Sequence, residues 1–127
     1  VKEGSIMLPT LDEFLAKTGY PQNAYVRFPG MKSLYVRRGG YWVDTKVLDF
    51  TVQIASVEAN KPRNGAFRHL IDHLKAQHPT LTIVVENVHS DLLAMILERW
   101  DFDRINLSTG RHFAWRSTLA TSSCHMR

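Results

Sequence analysis

A strand that runs through a loop containing Pro62 and Gly65 into an amphipathic helix constrains this chain more than any other feature. In Asp49-Phe-Thr-Val-Gln-Ile-Ala-Ser-Val57, Phe50, Val52 and Ile54 fall on one side and Asp49, Thr51 and Gln53 on the other, the two-residue period of a pleated strand. The segment Val57-Glu-Ala-Asn-Lys-Pro-Arg-Asn-Gly-Ala-Phe67 follows. Apolar residues then return at Phe67, Leu70, Ile71 and Leu74, the spacing of one helix face. The loop therefore joins a strand ending at Val57 to the start of a helix. Unpaired N–H groups at such a start, aided by the positive end of the helix dipole, suit a phosphate or pyrophosphate without needing a particular side chain.

A second strand and helix follow. Leu81 to Val85 is a short apolar, β-branched run that reads as a buried strand, and Pro79 before it helps stop the preceding helix. Ser90 is placed to cap a helix whose inward face carries Leu93, Ile96, Leu97 and Trp100 and which ends before Phe102.

These residues resemble the GNAT superfamily of acyl-CoA N-acyltransferases. In that family a strand ending in Val or Ile leads into a loop of the form Arg/Gln-x-x-Gly-x-Gly/Ala, whose backbone amides hold the CoA pyrophosphate at the start of the next helix. Pro62, Arg63, Asn64, Gly65, Ala66 and Phe67 fall on those six positions. Pro62 stands at the Arg/Gln position with Lys61 and Arg63 beside it, and Phe67 at the last small one. Downstream, Leu97-Glu-Arg-Trp-Asp-Phe102 is similar in outline to the family's Tyr-Glu-Lys-x-Gly-Phe helix ending, with Ser90 at the polar helix start. Leu97 replaces the Tyr that protonates the departing thiolate, and Asp101 the Gly. The resemblance covers roughly Leu34 to Trp115.

The resemblance implies a single α/β (α+β) domain with a mixed, mostly antiparallel central sheet flanked by helices. It implies transfer of an acetyl or other acyl group from acetyl-CoA (acyl-CoA) to an amine of unknown size, proteins included. The cofactor-binding residues would be Val57, Arg63, Asn64, Gly65, Ala66, Phe67 and Ser90, with acyl-CoA in the splay between the strand ending at Val57 and the one ending near Val85. The family's cleft Glu falls near Thr51. Asp49 is the only carboxylate on that face and Gln53 could hold a water, so Asp49 and Gln53 are the catalytic candidates, because the attacking amine must lose a proton. His89, between the second strand and its helix, would lie near the pantetheine arm and can exchange protons near neutral pH. Leu97, Pro62 and the missing Glu leave a second reading open, a binding or structural protein that keeps the fold without the chemistry.

A third reading rests on charge. The net charge is +4, and Arg27, Lys32, Arg37, Arg38 and Lys46 are interleaved with Tyr25, Tyr35, Tyr41 and Trp42. Basic and aromatic residues together can bind single-stranded nucleic acid. The same residues also suit strands with a solvated basic face.

The remaining features fit one compact domain. At 127 residues the chain supports one core, with residues 1–116 as the domain and 117–127 as a polar tail. A single cysteine, Cys124, excludes an internal disulfide, and no apolar run approaches the roughly 20 residues needed to cross a membrane. No signal peptide is visible at Val1, and the expected compartment is the cytoplasm. His69 and His73 stand one helical turn apart, which is ligand-capable spacing, but with Asp72 they point away from the apolar face toward water, so no metal is expected. Thr10-Leu-Asp-Glu13 has the form of a capping box opening a short helix. Pro29-Gly30 marks a turn, and Gly39-Gly40 reads as a two-residue hairpin between strands Ser33–Arg38 and Tyr41–Asp44. Asp103–Leu107 and Arg111–Trp115 are expected to pair.

Overall fold

The structure, a computed structural model, describes residues 8–16, 23–43, 46–60, 65–107 and 110–116, and the side chains of all of these but 41–50. Its elements are α1 (Leu11–Ala16), β1 (Asn23–Tyr25), β2 (Met31–Val43), β3 (Lys46–Ala59), α2 (Ala66–Gln77), β4 (Thr82–Val85), α3 (Asp91–Arg99), β5 (Asp103–Leu107) and β6 (Gly110–Trp115). The strands form one sheet in the order β1-β2-β3-β4-β6-β5. Every neighbouring pair is antiparallel except β3 and β4, which run parallel from Thr51↔Thr82 to Ile54↔Val85. This mixed, mostly antiparallel sheet agrees with the sequence expectation. No helix among the described residues is long and apolar enough to cross a membrane.

Periodicity accounts for the packing. Leu70, Ile71 and Leu74 of α2 and Leu97 of α3 are fully buried, as their helical spacing predicts. They join Leu11 and Phe14 of α1 in one apolar cluster with Leu34, Val36, Val52, Ile54, Ile83, Val85 and Phe113, the alternate residues of one sheet face. The three described helices thus cover a single face. The opposite face carries a small cluster of Val84 and Ala114 with Ile105 and Leu107, together with buried Thr51, Gln53, Thr82 and His112. It is more polar than a simple apolar-in, polar-out strand would give.

Local signals hold at most helix ends and fail at one turn. The capping box forms: Thr10 N–H donates to Glu13 Oε1 at 2.9 Å and Glu13 N–H to Thr10 Oγ1 at 3.1 Å. Ser90 caps α3 by accepting from Leu93 N–H at 3.1 Å. Gly39-Gly40 is not a hairpin turn. It lies inside the continuous strand β2, at a register shift where β3 carries an extra residue, and Gly39 has φ 111. The carbonyls of Gly39 and Gly40 accept from Thr51 Oγ1 at 2.6 Å and Gln53 Nε2 at 3.2 Å, so the glycines serve the polar face of β3. The chain reverses instead between Val43 and Lys46, which pair. The strand expected to end at Val57 continues to Ala59.

Helix α1 docks through polar contacts as well as Leu11 and Phe14. Arg38 donates to the Phe14 carbonyl, its guanidinium 4.8 Å from the Phe14 ring centroid. Asp12 accepts from His73 at 2.9 Å and from His78 at 2.8 Å. His69 and Asp72 are exposed as expected, but His73 is folded against α1 and the Phe28 ring, because Asp12 gives its imidazole a partner there.

Leu74→Ala should remove side-chain volume where α2 meets the sheet and cost about 3 kcal/mol. Urea unfolding measures this, and a loss under about 1 kcal/mol would mean that the site collapses around the smaller residue.

Candidate active site

The parallel pair β3/β4 is short, and its ending creates the cleft. Glu86 N–H still reaches the Ile54 carbonyl at 3.1 Å, after which β4 stops while β3 runs on to Ala59. Ala55 is the extra residue of a bulge, since Tyr35 pairs with Ser56 and Val36 with Ile54. A bulge turns backbone groups out of the ladder, and bulges are frequent beside ligand sites. The parted strands enclose a cleft of about 480 Å³ lined by β3 from Ile54 to Val57, by Val85 to Ser90, and by Phe67 and Leu93. That volume is within the range of small-molecule sites.

Both α2 and α3 start at this end of the sheet, and their first turns differ. The N-terminus of α3 is already served by the Ser90 hydroxyl and by Asp91 in its first turn. That of α2 begins at Gly65, in the left-handed conformation with φ 81, with no side-chain cap and no acidic residue in its first turn. Of the two starts, α2 is the one with neither an N-cap side-chain hydrogen bond nor an acidic residue in its first turn, the arrangement that suits an anion. Gly30 lets β2 approach it: a Cβ there would meet Ala66 Cβ at 3.0 Å.

The loop after β4 is held from β6. Arg111 donates to the Val88 carbonyl at 3.0 Å, the His89 carbonyl at 3.1 Å and Asp91 Oδ1 at 2.9 Å. Asn87, in a left-handed conformation with φ 52, donates its N–H to His112 Nδ1 at 3.2 Å. Glu86, its side chain 9% exposed, accepts from Arg37 at 2.5 Å across β3.

Of the residues expected to hold the cofactor, Val57, Phe67 and Ser90 line the cleft, and His89 lies beside them. Gly65 and Ala66 begin α2, while Arg63 and Asn64 lie outside the described residues. Asp49 belongs to β3 by its backbone, and its side chain is outside the description. Gln53 is buried, its amide donating to Thr51 Oγ1 and the Gly40 carbonyl, and it is not part of the cleft lining. Leu97 is fully buried in the core, so its position does not face the cleft. Glu86 escaped the sequence reading. Its one local signal is a carboxylate directly after an apolar strand. Among the basic and aromatic residues, Arg27 donates to the Leu8 carbonyl, Lys32 lies 3.5 Å from Glu58, and Tyr25 packs on Tyr35. The side chains of Tyr41, Trp42 and Lys46, and the whole of Cys124 in the tail, are outside the description.

The chain matches no protein-family model, no curated protein and no solved structure.

Two consequences can be measured. Burial pushes the His112 imidazole below its ordinary 6.5, against the opposing pull of Glu86. The unfolded chain therefore takes up a proton first, so this contribution to stability is complete above pH 6.5 and is lost as pH falls below it. Protonation at Nδ1 also ends its acceptance from Asn87. Urea midpoints followed downward from neutral pH should fall less steeply in His112→Gln than in wild type, and parallel curves would refute the assignment. Leu97→Tyr should overpack the core and cost about 1–3 kcal/mol without raising any thioester turnover; a stable variant with faster turnover would show that position 97 reaches the cleft.

Proposed function

We propose that the protein is an acyl-CoA-dependent N-acyltransferase of GNAT-like fold, with acetyl-CoA in the cleft between β3 and β4. The observation that carries this reading is the parting of a parallel strand pair at a bulge, directly beside a helix start that has neither side-chain cap nor acid. The mixed, mostly antiparallel sheet with its one parallel pair is the arrangement that the resemblance implies, and it supports the same reading. In it, the α2 start takes the pyrophosphate on backbone N–H groups from Gly65 to Phe67, with Arg63 and Asn64 preceding them. Val57, Phe67 and Ser90 flank the pantetheine arm, and the edge of β3 beyond Ala55, which has no strand partner on the β4 side among the described residues, offers it backbone partners. The acyl thioester supplies the activated carbonyl.

The acceptor amine must reach that carbonyl unprotonated, and the thiolate must leave with a proton. Glu86 is the carboxylate on the cleft wall, oriented by Arg37, and it attracts an ammonium acceptor and takes its proton directly or through water. Asp49 remains the alternative base, while Gln53 supports β3 from the polar face. His89 is placed to return a proton to the thiolate, a task for which the buried Leu97 has no group. A degenerate binder is the competing reading, favoured by Leu97, by Pro62 at the Arg/Gln position and by the absence of the family's Glu near Thr51. The partners of Arg27, Arg37 and Arg38 leave less free basic surface for nucleic acid.

Thermal unfolding with acetyl-CoA, CoA and ATP tests the cofactor site. Ligand at about a hundred times its dissociation constant adds about 2.7 kcal/mol, on the order of 10 °C for a domain of this size. Both CoA species should shift the wild type and ATP should not, and Gly65→Val should abolish the shift. In an amine screen, Glu86→Gln should lower turnover about a hundredfold while keeping the CoA shift. Turnover lost in Asp49→Asn but kept in Glu86→Gln would move the base to Asp49. A CoA shift without turnover on any amine would identify a binder, and no shift would end the acyltransferase reading.

A further inference from the structure

Away from the cleft, three side chains meet in a way that the acyltransferase reading does not use. We propose that Asp12, His73 and His78 form a binding site for a divalent transition metal of the zinc class, which clamps α1 to α2. The three ligand atoms lie within 4.8 Å of one another. His73 Nε2 is 2.9 and 3.0 Å from the two oxygens of Asp12, and His78 Nε2 is 2.8 Å from Oδ1. In tetrahedral zinc, ligand bonds of about 2.0–2.2 Å set neighbouring ligand atoms about 3.3 Å apart. The ion therefore needs the two imidazoles to retreat from the carboxylate by about half an ångström and their two nitrogens, which lie within 4.8 Å of each other, to close toward that spacing by rotation of the side chains.

Each ligand stands on backbone that is already fixed. Asp12 sits in the first turn of α1 behind the Thr10–Glu13 capping box. His73 projects from the third turn of α2, its ring edge-on to buried Phe28 at 5.2 Å. His78 is the C-cap of α2, with its own N–H held by the Leu74 carbonyl at 2.9 Å. Two imidazoles and one carboxylate favour zinc, cobalt, nickel or copper over magnesium or calcium, which prefer all-oxygen sets.

The set is three protein ligands with room for a fourth. Asp12 and His73 line an open groove of about 730 Å³ that continues past Gly30 and Asn60, and the Asp12 side chain is 53% exposed. The remaining coordination position therefore faces solvent and admits a water or a small anionic ligand. His69 also lines this groove but is outside the trio of mutually close ligand atoms, so it serves as the internal control.

Titration of the metal-stripped full chain with zinc chloride near neutral pH, followed by calorimetry, tests the site. One zinc per chain should bind with micromolar or tighter affinity and raise the unfolding temperature, while magnesium should do neither. Asp12→Asn, His73→Asn and His78→Asn should each weaken zinc binding about tenfold or more; His69→Asn should leave it unchanged. Far-UV circular dichroism checks that each variant folds. Cobalt(II) loading of the wild type gives a readout that needs no variant: an intense visible absorption band of low coordination number is expected. Absence of saturable zinc binding, binding that survives in the His73→Asn/His78→Asn double variant, loss caused by His69→Asn, or a cobalt spectrum no stronger than the aqueous ion would each overturn the proposal.

Discussion

The length mismatch between β3 and β4 governs what this fold can do. Strand β3 runs from Lys46 to Ala59 and pairs with β2 along most of that length, whereas β4 offers only Thr82 to Val85 on the other side. The shared stretch buries Val52 and Ile54 beside Ile83 and Val85 under the helices, which fixes the sheet where the two strands touch. Beyond Ile54 one edge of β3 has no strand beside it among the described residues. Backbone polar groups cannot remain both buried and unpaired, so this edge must open to solvent or ligand. The cleft follows from the strand lengths and from the Ala55 bulge, and the helix starts that surround it follow from the direction of the parallel pair.

Burial on the second face of the sheet makes a different demand. Thr51 and Gln53 are almost wholly out of solvent, and leaving their polar groups unpaired would cost about 1–3 kcal/mol each. The glycines of β2, at the register shift with β3, meet part of that demand with their carbonyls, and Arg37, reaching over β3 to Glu86, adds a charged pair to the same side. Removing one partner there would leave a largely buried carboxylate alone, which is why Glu86 and Arg37 act as a unit. The polar face therefore fixes the orientation of Glu86, the one carboxylate among the described residues that line the cleft.

This division between near and far partners also decides what could be read from the residues. The helices at Leu70–Leu74 and Leu93–Leu97, the capping box at Thr10 and the cap at Ser90 depend on neighbours within a few positions, and they agree with the pattern. The strand pair from Asp103 to Trp115 is likewise local; the placement of β6 inside β5 is not. Gly39-Gly40 looks the same locally whether it makes a turn or continues a strand opposite a register shift. Only Thr51 and Gln53, more than a turn's reach away, supply the hydrogen bonds that decide it. Glu86 was unreadable because its partner Arg37 lies 49 residues earlier, and the Asp12 cluster because its members are separated by 61 and 66 residues. Val57, Phe67 and Ser90 reached the cleft because a strand end and two helix starts are local features that the topology brings to one place.

Helix α2 connects the two proposed sites, its first turn at the cleft and its last two turns at Asp12. Coupling between such sites requires an element with two packed arrangements that both ligands bias. Helix α2 has a single docking face, Leu70, Ile71 and Leu74, fully buried against one continuous core, and Lys75 pins it further by donating to the Trp100 carbonyl at 3.2 Å and lying 4.7 Å from the Trp115 ring. Sliding or turning the helix would uncover all three apolar residues, at about 1.5–3 kcal/mol each, more than the usual 1–3 kcal/mol of an allosteric coupling. Helix α2 therefore behaves as a rigid rod between the sites. On the proposed readings, a metal at Asp12 and CoA at the cleft would each add its own binding energy to the stability of the fold, and neither would alter the affinity of the other.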